Sequence, residues 1–163
     1  MSHSAVDVAY RLLQIAQAQE IELSNLQVQK LVYIAHGYLL GWLGKPLISE
    51  TVQAWKYGPV IHEVYSEFKK YGSNKIPVAY MRDEQVRTFF TRDEEECLKG
   101  VIILYGKEDA MDLINITHQQ NTPWDDVWNK QGGKFERFAV IPDSLIKAHY
   151  EKVVSNPADV SGL

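Results

Sequence analysis

The sequence predicts a mainly α fold, a single multi-helix domain with a small β-hairpin or short strands. Three observations carry this. Apolar residues recur at helical spacing through most of the chain, and helix start and stop residues bracket those runs. The 163 residues suit one domain with a real core, and no repeat or linker divides them. We place that domain at residues 1–152, followed by a flexible tail over 153–163.

The first helix is expected from Ser4 to Ala18, with Ala5, Val8, Leu12, Ile15 and Ala16 on one stripe. The second starts at Ser24, which caps together with Gln27 three residues on. It runs through Leu31, Ile34, Tyr38 and Trp42 to a stop at Gly44. Apolar residues cover well over half of its circumference, which marks it as the central helix. Residues 45–58 read as extended or looped. Gly58-Pro59 then places a proline at the first position of a third helix, whose stripe is Ile61, Val64, Tyr65, Phe68 and Tyr71.

Within 73–92, "KIPVAY" and "VRTFFT" can be two short strands. Asp93 is expected to cap a helix with Glu96 at its third position, and Asp109 to open another through Ile116. "NTPWDDVW" repeats the start logic, with Thr122 as cap and Pro123 first. A last helix begins at Pro142 and carries Leu145, Ile146 and Tyr150.

Charge and composition narrow the chemistry. The net charge is −4, and Lys69-Lys70 and Lys130 with Lys134 and Arg137 are small, scattered basic groups. DNA binding by this chain alone is therefore not expected, because duplex binding needs a cationic face. The helix that would read bases is mostly Leu, Val, Ile and Trp rather than Arg, Asn or Gln. One cysteine, Cys97, and no leader segment point to a reducing compartment, the cytoplasm. No apolar run reaches the ~20 residues of a membrane span.

No catalytic, metal or cofactor motif stands out. His3, His36, His62, His118 and His149 lie far apart, none with a second ligand at metal-site spacing. Cys97 lacks a nucleophile context, "GGK" lacks the phosphate-loop spacing, and Asp93 to Glu96 suit a helix N-terminus. The expectation is a chain that is not an enzyme and carries no cofactor or metal.

One alignment on the central helix leaves two readings open. Lys30, Tyr33, Gly37 and Gly41 fall near one line, and two glycines four apart admit a close backbone. Either another helix of this domain packs there, or a shallow groove receives a partner segment.

The stretches "LQVQKLVYIA", "GKPL" and "AWKYGPV", with "THQQNTPW" further on, resemble the Panacea domain of SocA-like antitoxins and phage-associated GepA-like proteins. The matching residues include Lys30, Gly58, Pro59, Thr117, His118, Pro123 and Trp124, and the likeness spans about 4–152. The resemblance implies a helical domain with a small β element and an antitoxin role. In that role the chain neutralises a cognate toxin encoded nearby by direct binding, and some relatives involve a protease. It transfers no catalytic residue. Interface centres favour Trp and Tyr, so the candidate partner contacts are Tyr33, Trp55, Lys56, Tyr57, His118 and Trp124. Core packing competes for each, most strongly for Trp55 and Trp124. Two other roles remain beside it: a proteolysis adaptor or mobile-element protein with a DNA-linked regulatory role, and a hydrolase using His118 beside Thr117.

Overall fold

The computed structural model describes residues 2–77 and 88–155. Seven α-helices and three short strands are ordered there as α1 (Ala5–Ala18), α2 (Asn25–Leu43), β1 (Val52–Trp55), β2 (Gly58–Val60), α3 (His62–Phe68), α4 (Arg92–Tyr105), α5 (Ala110–Thr117), α6 (Pro123–Asp125), β3 (Val140–Ile141) and α7 (Asp143–Ser155). This is the expected mainly α domain with a small β element. None of the described helices is long and apolar enough to cross a membrane.

Helix α2 is the axis, as its sequence requires. The predicted capping box is formed: Ser24 accepts the Gln27 N–H, and the Gln27 side chain accepts the Ser24 N–H. Gly44 ends the helix at φ 69°, a left-handed stop that glycine adopts without Cβ strain. Leu31, Val32, Ile34, Ala35 and Leu39 are all buried, and α1, α3, α4, α5 and α7 pack round them.

The two glycines of α2 are explained by α7. A Cβ on Gly37 would overlap the Tyr150 ring, and one on Gly41 would lie 2.5 Å from the Tyr150 carbonyl carbon. The chain's own last helix therefore fills the groove that a partner segment could have used. That helix continues to Ser155 with Val153 buried, so 153–155 are helical rather than part of the tail.

Buried polar residues pin the layers. His36 is fully enclosed; its Nδ1 accepts the Leu47 and Ile48 N–H groups at 3.1 and 3.4 Å. Nε2 then carries the proton and donates to Asp143 at 2.9 Å, tying the segment after α2 to the start of α7.

Two helix starts differ from expectation. Thr91, not Asp93, caps α4, and its partner is Glu94: the Thr91 hydroxyl accepts the Glu94 N–H, and Glu94 accepts the Thr91 N–H at 2.8 Å. Pro59 is not a first helical residue. It pairs with Ala54 in the β1–β2 hairpin, and α3 begins at His62. The sheet order is β2-β1-β3, which leaves Pro59 on an edge strand, where a missing N–H costs no ladder bond. Of the strands expected in "KIPVAY" and "VRTFFT", residues 78–80 and 86–87 lie outside the described residues; among the others Lys75 forms an isolated bridge to Ser24 and 88–91 form no strand.

Candidate functional site

Lys30, Gly58, Pro59, Thr117, His118 and Trp124, from three of the family-like motifs, converge on one place, the turn joining β1 to β2. Gly58 bends it at φ 115°, backbone that only glycine occupies readily. A side chain there would also meet Lys30 Nζ at 3.0 Å and Thr117 Oγ1 at 3.4 Å. Helix α2 thus sends Lys30 beneath the turn, and the end of α5 closes over it.

Three backbone carbonyls of the hairpin are held from inside by side-chain donors. Lys30 Nζ donates to Pro59 O at 2.7 Å and to Tyr57 O at 3.3 Å. Trp124 Nε1, from α6, donates to Trp55 O at 2.6 Å. Just beyond the turn, Gln29 accepts the Ile61 N–H at 2.8 Å. Each bond gives a backbone group of the hairpin a side-chain partner inside the fold. Lys30 is 1% exposed, and no carboxylate is bonded to it among the described residues. Burial pulls its amine down to about 7.

Around this lock the remaining candidates separate. Tyr33 and Trp124 are buried, so neither ring is available to a partner. The His118 ring packs on Trp124 with centroids 5.3 Å apart, and its Nδ1 is enclosed without a hydrogen-bond partner among the described residues. The Thr117 hydroxyl donates back to Leu113 O at 2.8 Å. No carboxylate bonds His118 among the described residues. Pro123 opens α6 behind its Thr122 cap as expected, and a single π-helical turn, Asp126–Lys130, follows.

On the outside stand Trp55, Lys56 and Tyr57. Tyr57 is 63% exposed, Lys56 is exposed and lies over the Tyr57 ring at 5.4 Å, and Trp55 is half-buried. The Trp55 indole donates to Gln53 at 2.9 Å and faces Tyr65, His62 and Phe138. Sequence reasoning missed Gln29 and Phe138. Gln29 stands next to Lys30 in the motif, which is a usable signal; Phe138 sits in an unpatterned loop and has none.

Elsewhere the described residues hold no group of three or more His, Cys, Asp or Glu arranged to bind a metal. Cys97 is half-buried. Burial, helped by Glu94, pushes its thiol up to about 12, which is the opposite of an activated nucleophile.

Fold and site together define a helical scaffold whose interior polar groups serve to hold one exposed turn in place. Residues 28–125 match the family described as "Antitoxin SocA-like, Panacea domain". The chain is also 33% identical over 150 residues to Antitoxin SocA of Caulobacter vibrioides (strain NA1000 / CB15N), across 88% of this chain and 80% of that one. No solved structure matches. The protein belongs to the SocA-like, Panacea-domain antitoxin family.

Proposed function

We propose that this protein is an antitoxin that neutralises a cognate toxin protein by direct binding, with Trp55, Lys56 and Tyr57 in the contact surface. One observation carries the choice of surface: the turn's carbonyls are taken from inside by Lys30 and Trp124, while its side chains point out. A turn fixed before binding loses little entropy on docking, so more of its contact energy appears as affinity. An amphipathic Tyr with a neighbouring cation suits the centre of such a contact.

The test is co-expression with the toxin encoded by the adjacent gene. Wild-type protein should relieve growth arrest, and Lys56→Glu with Tyr57→Ala should fail to do so. Both sites are exposed, so melting should move by no more than about 0.5 kcal/mol. Rescue unaffected by the double substitution removes the turn from the interface, and arrest that the wild type cannot relieve with any adjacent toxin candidate removes the antitoxin role.

A further inference from the structure

We propose that the β1–β2 turn and the 134–138 loop form one surface, and that its partner is an acidic, apolar protein segment. The inference rests on the antitoxin reading for the biological setting, but its chemistry comes from the surface itself.

Lys56 and the pair Lys134 and Arg137 are far apart in the chain. The fold brings their segments together: the helical turn Gly133–Phe135 packs on β1, Ala54 N–H donates to Ala139 O at 2.8 Å, and the Phe138 ring lies 6.3 Å from that of Trp55. All three cations are exposed, and none enters an ion pair among the described residues. Nearby Lys130, in contrast, is already paired with Asp126 at 3.0 Å.

Aromatic rings accompany the free charges. Lys56 lies over Tyr57 and Lys134 over Phe135, each at 5.4 Å, and Phe135 is 84% exposed. Phe138 is exposed with φ at 58°, the left-handed region that a bulky side chain adopts only under constraint. Its ring stands beside Trp55 and outside the core. Exposed rings interleaved with unpaired cations complement carboxylates interleaved with apolar side chains.

Nucleic acid fits less well. The group of Lys56, Lys134 and Arg137 is small, Glu136 stands among them, and the whole chain is at −4. A phosphate backbone would meet little net positive charge. A protein segment can place its carboxylates on the cations and its apolar groups on the rings.

The probe is a fluorescent peptide alternating glutamate and leucine, with a lysine–leucine peptide and an oligothymidine of equal length as comparators, read by anisotropy. The glutamate peptide should bind the wild type. Binding should weaken at least about tenfold in the Lys56→Gln, Lys134→Gln, Arg137→Gln variant, tighten in Glu136→Gln, and fall with added salt. Failure of the glutamate peptide to bind, equal binding by the triple variant, or tighter binding of the oligothymidine overturns the inference. Growth rescue reads the antitoxin role separately. Rescue that survives the triple substitution overturns the acidic-partner surface and leaves that role standing. Loss of rescue by the wild type overturns the role, while peptide binding still decides the surface.

Discussion

Lys30 shows how one residue can act in opposite directions. Its amine holds two carbonyls of the turn, yet burial without a counter-ion disfavours the charged form, from 10.5 to about 7. Between those values the unfolded chain holds a proton that the folded chain has released. Stability should therefore rise with pH across that window. The cleanest range is pH 7 to 9, because above 9 the raised thiol of Cys97 works in the opposite sense. Lys30→Met should abolish the rise in denaturant midpoint over this range and cost about 1–3 kcal/mol at neutral pH through the abandoned carbonyls. Trp124→Phe isolates the other donor. It keeps an aromatic ring but strips the bond to Trp55 O, and a loss of about 1–3 kcal/mol in denaturant unfolding is expected.

At the scale of elements, two kinds of helical glycine give opposite expectations. Gly41 lies against the backbone of α7, so Gly41→Ala must push the helices apart; a loss of about 1–3 kcal/mol should appear in thermal or denaturant melts. Gly100 sits inside α4 with nothing within 4 Å of a would-be Cβ. Gly100→Ala should stabilise by about 0.5–1 kcal/mol, because alanine has less backbone entropy to lose. Helix boundaries were legible wherever a cap was local. The Ser24 and Asp109 starts stand where side-chain chemistry puts them. Thr91 displaced Asp93 by two residues although each has a glutamate three positions on; the capping box forms between Thr91 and Glu94, whose carboxylate is also held by His3.

Across the whole molecule, distant segments are closed by a few polar contacts. His3 Nε2 meets the Glu94 carboxylate at 2.9 Å and joins the N-terminus to α4. Burial of Glu94 opposes ionisation, but the Thr91 N–H and His3 outweigh it and bring the carboxyl below its usual 4.5. The contribution is present above that value and is lost as pH falls through the lower, folded one. Glu94→Gln should flatten the acid limb of a stability–pH profile while keeping the cap of α4.

The central helix, most helix starts and the residues bearing the family motifs were legible in the chain alone, because capping and amphipathic period act within a few positions. The sequence also marked Trp55, Lys56 and Tyr57 as candidate contact residues in a segment read as extended or looped. What it left open was the partner of each motif. Pro59 reads locally as a helix opener and is an edge-strand residue only because β1 lies beside it. Gly37 and Gly41 read as a close helix contact or as a shallow groove, and α7 supplies the contact. Lys30 and Trp124 became donors to one turn, and Lys56 a neighbour of the 134–138 loop, through contacts between residues far apart in the chain. Such contacts leave no period and no fixed spacing, so only the packed tertiary structure decides them.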